Sequence, residues 1–241
     1  MRLASRIMYR GVGMKVNVTD LVIRIILMAV VFALVLFLSA GTLAWPAAWL
    51  YLALLFGFTI GLSIWLSRFN PELLAERMRG IGKPGQKTWD KVFLAVLLPL
   101  FFGWYVFMAL DAVRYRWSQI PVWLQWVGAG VFLASFYIFY LTFRENTYLS
   151  PAVRIQTDRG QTVISTGVYS HVRHPLYAGF ILYTLGTALL LGSAYGLLGA
   201  LVLIGLITWR AVHEEQVLSS ELAGYGEYMT RVKYRFIPYL W

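Results

Sequence analysis

The chain contains no cysteine, so disulfides, thiolate metal sites and cysteine nucleophiles are all excluded. It is also poor in charge, because Asp, Glu, Lys and Arg make up 13% of its 241 residues, against about a quarter in soluble domains. Hydrophobic residues reach 59% and lie in long blocks. These features predict a membrane protein, and the length suits a single domain, 1–241.

Five apolar segments carry no charge and approach or exceed the roughly 20 residues that a spanning helix needs. They are 25–44, 45–67, 92–110, 122–143 and 175–209. The last would form a helix of about 52 Å, too long for one crossing, and a break at 192–196 predicts a tight hairpin with two short arms. We therefore predict an all-α, polytopic membrane helical bundle: four spans within 1–145, then a C-terminal helical hairpin and a cytoplasmic amphipathic tail within 146–241.

The net charge of +10 is best explained by topology, because Lys and Arg concentrate in cytoplasmic loops. Only Arg114 and Arg116 lie on the opposite side of the predicted bundle. We expect both termini and the functional site to face the cytoplasm, with attraction to anionic lipid as a secondary effect and no binding of nucleic acid. The cations on the cytoplasmic side are Arg2, Arg6, Arg10, Lys15, Arg68, Arg77, Arg79, Lys83, Lys87, Lys91, Arg144, Arg154, Arg159, Arg173, Arg231, Lys233 and Arg235.

Two short motifs point to chemistry only weakly. Residues 80–85, GIGKPG, match the dinucleotide-binding string G-x-G-x-x-G, but they lie between two predicted spans and contain Pro84, which predicts a loop. His171 and His174 would need His213 as a third metal ligand, and the helix start suggested by Pro175 leaves His171 in a loop. No metal site is predicted.

The stretch GVYSHVRHPLYAG, residues 167–179, indicates a polar pocket at the membrane boundary. Pro175 suits the first turn of a helix, and Arg173 and His174 would lie at its N-terminus, where N–H groups attract anions. An antiparallel hairpin returns its second arm to the same depth. The side chains expected around the pocket are Tyr169, Arg173, His174, Tyr177, Arg210, Glu214 and Glu215. The alternative is that these charges only pair with one another, as Arg210 and Glu214 can at their i,i+4 spacing.

Apolar residues recur every three or four positions after Glu215, which predicts one amphipathic helix, either an interfacial helix or a lid. They are Val217, Leu218, Leu222, Tyr225, Tyr228, Met229 and Val232.

These motifs resemble the isoprenylcysteine carboxyl methyltransferase family and its phospholipid-methyltransferase relatives. The resemblance rests on GVYSHVRHPLYAG, the Glu214-Glu215 pair and GYGEYMTRVKYRFIP, and covers roughly residues 146–241. It implies an integral membrane enzyme that uses S-adenosylmethionine in a cytosol-facing pocket, with a lipidic substrate entering from the bilayer.

The resemblance also implies roles for individual residues. Arg173 and Glu214 would be catalytic, and Arg173 would orient a substrate carboxylate. The candidate cofactor-binding residues are Gln161, Val163, Gly167, Tyr169, His174, Pro175, Tyr177, Glu214 and Glu215, and the candidate substrate residues are Arg173, Arg210, Tyr228 and Arg231. Gln161 departs from the family pattern, in which prenylcysteine enzymes tend to carry a histidine, so this position cannot accept a proton.

We therefore predict a membrane methyltransferase that transfers a methyl group to a lipidic or amphipathic acceptor, either a prenylcysteine-like carboxylate or a lipid amine. Two alternatives stay open from the sequence: a nicotinamide-dependent membrane reductase of the sterol-reductase type, and a non-enzymatic membrane protein. The sequence does not determine the acceptor or the oligomeric state.

Overall fold

The computed structural model describes residues 17–241, so the predicted N-terminal cations Arg2, Arg6, Arg10 and Lys15 lie outside the described residues. The described chain is all-helical, and five of its helices are long and apolar enough to cross a membrane. The helices are α1 (Val18–Ala40), α2 (Pro46–Phe69), α3 (Pro71–Met78), α4 (Thr88–Ala109), α5 (Val122–Glu145), α6 (Pro175–Leu191), α7 (Ala194–Glu221) and α8 (Tyr225–Arg231). The π-helical turn Leu110–Arg114 extends α4.

The predicted bundle of four spans and a hairpin is confirmed, but the first span begins and ends earlier than predicted. The Asn17 side chain caps α1 by accepting from the backbone N–H groups of Thr19 and Asp20, and Gly41 ends the helix with a φ of 73°. The helix therefore includes Arg24, whose guanidinium donates to the carbonyl of Met78 at 2.9 Å. Such a bond lets a charged side chain near a helix end reach the interface.

The hairpin turns at Gly192 as predicted, but its second arm is not short. α6 has 17 residues and α7 has 28, which corresponds to about 42 Å of helix. α7 therefore continues past the membrane boundary through both glutamates to Glu221. The prediction of a single amphipathic tail helix is also wrong, because the chain bends after Leu222 and α8 is a separate helix of seven residues.

Residues 80–85 form a loop, as predicted. Gly80, Gly82 and Gly85 all have positive φ angles, and no strand precedes them among the described residues. This conformation does not match a dinucleotide-binding turn.

Three buried tyrosines connect the spans through hydroxyl hydrogen bonds. Tyr51 of α2 lies 2.6 Å from Tyr105 of α4 and 2.8 Å from Tyr183 of α6, and the hydroxyls of Tyr105 and Tyr183 are 2.7 Å apart. A closed ring satisfies polar groups that hydrocarbon cannot solvate. The ring therefore defines the relative depth of three helices.

Glycines let α5 and α6 approach closely. A Cβ atom added to Gly186 would lie 2.6 Å from the backbone nitrogen of Phe132 and 3.0 Å from the carbonyl oxygen of Gly128. Small residues commonly permit such contact between membrane helices. This packing holds α6 directly against α5.

Glu76 anchors the linker that follows α5. Its carboxylate is fully buried and its Oε1 accepts from Lys83 Nζ at 2.9 Å and from Arg154 Nη2 at 3.0 Å. Burial raises the pKa of Glu76, but the hydrogen bonds from Lys83 and Arg154 outweigh burial and hold the pKa below its ordinary value. Glu76 therefore attaches residues 146–155 to α3.

We predict that Gly186→Ala lowers the unfolding free energy by about 1–3 kcal/mol, because the new methyl group collides with the backbone of α5. Gly130→Ala is the matched control, since nothing lies within 4 Å of its Cβ position. Thermal unfolding in detergent measures both variants, and equal stability of the two would contradict the close packing.

We further predict that Glu76→Gln destabilises the protein at neutral pH and that its difference from the wild type shrinks below pH 4.5, the ordinary Glu value. A depressed pKa contributes stability above the unfolded-state pKa and loses it as pH falls through the folded-state pKa. Glu72→Gln, at a half-exposed position of the same helix, should change little at any pH. A difference for Glu76→Gln that is independent of pH would refute this ion-pair role.

Candidate active site

A cleft with about 110 Å³ of space accessible to water lies at the open end of the α6–α7 hairpin. Its walls come from the linker after α5, the turn that leads into α6, the last three turns of α7, and α8. The hairpin brings these segments together in space, because its two open ends must lie at the same depth.

Ten of the thirteen predicted site residues line this cleft. They are Gln161, Val163, Tyr169, Arg173, His174, Pro175, Tyr177, Arg210, Glu214 and Tyr228. The structure does not bring Gly167, Glu215 and Arg231 to the cleft. The predicted pocket is therefore present, but three residues have other positions and contacts.

Gly167 belongs to the turn rather than to the cleft wall. Its φ is +54°, and a Cβ atom there would lie 2.3 Å from the carboxyl carbon of Glu145. Only glycine fits this conformation and this space. Arg231 is exposed at the end of α8 and does not line the cleft.

Glu215 is fully engaged by Arg173, His174 and Arg235 and does not face the cleft. Its Oε1 accepts from Arg173 Nε at 2.6 Å and lies 3.1 Å from His174 Nε2, and its Oε2 accepts from Arg235 Nε at 2.8 Å. A carboxylate that is 4% exposed requires such partners to remain ionised. Glu215 thus joins α7, the start of α6 and the C-terminal tail.

The tail occupies the donors that were expected to attract an anion. Backbone N–H groups of Arg173 and His174 donate to the carbonyls of Tyr234 and Arg235, both at 2.9 Å. The guanidinium Nη1 of Arg173 donates to the carbonyl of Lys233 at 2.8 Å. These contacts hold the tail against the helix start, so the N–H groups of residues 173 and 174 do not face the cleft.

Glu214 is the carboxylate that faces the cleft. Its Oε2 accepts from the hydroxyl of Tyr177 at 2.6 Å, whereas no donor within residues 17–241 reaches its Oε1. The direct Arg210–Glu214 pair suggested by i,i+4 spacing is not formed. Instead, Arg210 Nη1 donates to the hydroxyl of Tyr177 at 2.9 Å and its Nε pairs with Asp90 at 2.9 Å.

Three tyrosines frame the cleft as neutral hydroxyl groups. The Tyr228 hydroxyl donates to the carbonyl of Tyr169, and Asn146 Nδ2 donates to the Tyr169 hydroxyl. Burial raises the pKa of Tyr169, Tyr225 and Tyr228 above the ordinary value, so they remain protonated at any physiological pH. They act as hydrogen-bonding and packing groups rather than as acids.

Sequence reasoning missed the linker wall and Asp90. The linker residues that line the cleft are Asn146, Tyr148, Leu149, Ser150, Ala152, Val153, Arg154 and Ile155. Their composition carries no site motif. Asp90 had a detectable signal, because it is an acid in the first turn of a spanning helix, and such residues are functional candidates.

Metal chemistry receives no support from the described side chains. Within residues 17–241, no group of three or more His, Cys, Asp or Glu is arranged to hold a metal ion. His171 is exposed, with its Nδ1 lying 3.0 Å from the hydroxyl of Ser170. The cleft instead combines one carboxylate that is hydrogen-bonded through a single oxygen, several hydroxyls and apolar surface, which suits a polar organic ligand.

Comparisons with known proteins concern the same region. Residues 147–220 match the family described as the isoprenylcysteine carboxyl methyltransferase (ICMT) family. The protein-S-isoprenylcysteine O-methyltransferase of Schizosaccharomyces pombe (strain 972 / ATCC 24843) is 35% identical over 85 residues, which are 34% of this chain and 36% of that protein. The chain therefore matches only about a third of this curated relative's length. The matched residues include the linker, the hairpin and both glutamates, so the similarity of the chain to the isoprenylcysteine carboxyl methyltransferase family lies in this C-terminal region.

Proposed function

We propose that this protein is an S-adenosylmethionine-dependent membrane methyltransferase that acts on a lipidic or amphipathic acceptor. The observation that carries the proposal is the cleft at the open end of the hairpin, where Glu214 presents a carboxylate oxygen without a partner among residues 17–241. The family match covers most of this cleft, and the matched relative is a protein-S-isoprenylcysteine O-methyltransferase. A prenylcysteine-like carboxylate is accordingly the preferred acceptor, with a lipid amine second.

The cleft has the donors and acceptors that S-adenosylmethionine requires. The free Oε1 of Glu214 can accept from an ammonium or a ribose hydroxyl. Gln161 uses its side-chain oxygen to accept from the backbone N–H of Gln156 at 2.7 Å, which leaves its amide nitrogen as a donor at the cleft wall. Apolar lining suits the flat face of an adenine ring. This surface is formed by Val163, Ile164, Val217, Leu218 and Leu222.

Methyl transfer requires the protein mainly to align the cofactor with the acceptor and to exclude water. The bound cofactor supplies a methyl group on a positively charged sulfur. An in-line displacement needs the acceptor held on the side opposite the sulfur, and a dry environment strengthens that arrangement. Arg173 is the proposed orienting cation, and only its Nη2 is available, because Nε and Nη1 bind Glu215 and the tail.

The acceptor determines whether a base is needed. A carboxylate attacks through its own lone pair and releases no proton. An amine must first lose a proton, and the Oε1 of Glu214 is the nearest proposed acceptor for it. A glutamine cannot take a proton, so Gln161 is not a candidate base for an amine acceptor.

Direct cofactor binding tests this function. We expect the purified protein to bind S-adenosylmethionine in calorimetry and Glu214→Gln to weaken binding at least tenfold, because a charge-assisted hydrogen bond contributes about 1.5–3 kcal/mol. Glu221→Gln is the matched control, since Glu221 lies on the same helix, is exposed and pairs with Lys87 at the surface.

Three outcomes would refute the assignment. Unchanged affinity in Glu214→Gln would remove Glu214 from the cofactor site. Binding of a nicotinamide dinucleotide but not of S-adenosylmethionine would instead identify a reductase. Binding of neither would favour a non-enzymatic role.

We also propose that the cleft faces the cytoplasm, because the cations of the described chain concentrate at the cleft end of the bundle and Arg114 and Arg116 lie at the other. The absence of native cysteine makes this testable with single thiols. In intact spheroplasts, an impermeant maleimide should label Tyr115→Cys and should label Glu227→Cys only after permeabilisation. Both positions are exposed, so labelling of Glu227→Cys in intact spheroplasts would reverse the topology.

A further inference from the structure

Asp90 connects the cleft to a helix outside the region that matches the family. It lies in the first turn of α4, is fully buried and accepts three hydrogen bonds. Its Oδ1 accepts from Arg210 Nε at 2.9 Å, and its Oδ2 accepts from Gln86 Nε2 and from the backbone N–H of Val153, both at 2.8 Å. The site therefore depends on a residue that the 147–220 match does not contain.

A continuous chain of hydrogen bonds runs from Asp90 to Glu214. Asp90 accepts from Arg210, Arg210 Nη1 donates to the Tyr177 hydroxyl at 2.9 Å, and that hydroxyl donates to Glu214 Oε2 at 2.6 Å. The Nη2 of Arg210 donates to the carbonyl of Pro151 at 2.9 Å. All three nitrogens of the guanidinium are thus engaged away from the free oxygen of Glu214.

Arg210 would otherwise pair directly with Glu214. The two residues are four positions apart on α7, which is the spacing of neighbouring side chains on a helix. A buried cation without a counter-ion is costly, so it pairs with the nearest carboxylate. Arg210 and Glu214 already share the Tyr177 hydroxyl, so an Arg210 that lost Asp90 would pair with Glu214 and occupy the oxygen that faces the cleft.

We propose that Asp90 is a positioning residue that holds Arg210 away from Glu214 and so keeps the Glu214 carboxylate open to a cationic group of the ligand. The ligand assignment, an ammonium of S-adenosylmethionine, rests on the proposed function. The effect of Asp90 on the Arg210–Glu214 pair does not depend on it.

A purely structural role for Asp90 makes a different prediction. Asp90 also fixes the cleft wall through Val153, so its loss would destabilise the protein in either case. The two roles predict different affinities when Arg210 is removed as well. If Asp90 acts by restraining Arg210, losing both should restore binding, whereas a purely structural role predicts a further loss.

The ligand-binding experiment measures the affinity for S-adenosylmethionine by calorimetry in four proteins. We expect Asp90→Asn to weaken binding about tenfold and Asp90→Asn with Arg210→Met to return it to within about threefold of the wild type, because no cation is left to pair with Glu214. Asp111→Asn is the matched control. Asp111 is a buried acid at the opposite end of the same span and accepts from Ser118 and Ser193.

Each outcome decides the proposal. Restored binding in the double variant, with wild-type affinity in Asp111→Asn, supports it. A double variant that binds no better than Asp90→Asn overturns it. If Asp90→Asn alone does not fold, the charge-balanced double variant should still fold and bind under the proposal, and its failure to fold would overturn the proposal.

A second measurement needs no ligand and separates this proposal from the proposed function. Thermal unfolding of Arg210→Met, Glu214→Gln and their combination gives the coupling between residues 210 and 214. We expect this coupling to be larger with Asn at position 90 than in the wild type, because the direct pair then forms. Unchanged coupling would overturn the role of Asp90, whereas a wild type that does not bind S-adenosylmethionine would refute only the proposed function.

Discussion

Pairing of buried charge at the open end of the hairpin supports the rest of the site. A carboxylate near hydrocarbon stays ionised only with donors around it, and Glu215 has the guanidinium groups of Arg173 and Arg235 and the imidazole of His174. Those three residues come from the start of α6 and from the tail. The same contacts therefore close the hairpin, dock the tail and give the cleft one of its walls.

Neighbouring glutamates of α7 serve different tasks because a helix rotates by about 100° per residue. Glu215 points into the cation cluster and is fully paired, whereas Glu214 points toward the cleft and is held on one side only, by Tyr177. Full pairing suits a structural role. Partial pairing preserves an acceptor that a ligand can use, at a cost in stability that the surrounding hydrogen bonds offset.

The N-terminal half contributes to the site although its sequence carries no motif. Asp90 of α4 neutralises Arg210, and Glu76 of α3 holds the linker through Arg154. The tyrosine ring and the glycine contacts define the depth and spacing of the spans, including α4, which carries Asp90. The region that matches the family thus depends on the preceding helices to position its own charges.

Hydropathy, the positions of Lys and Arg, and the order of the motifs determined a helical membrane bundle, a hairpin at its C-terminal end and ten of the residues that line the cleft. Each of these signals is local or periodic along the chain. Only the tertiary structure decided that Arg210 pairs with Asp90 rather than with Glu214, that Glu215 faces cations rather than the cleft, and that the tail occupies the N–H groups at the start of α6. The reason is physical: a buried charge pairs with whichever opposite charge the packing of distant helices brings nearest, and sequence spacing carries no record of that distance.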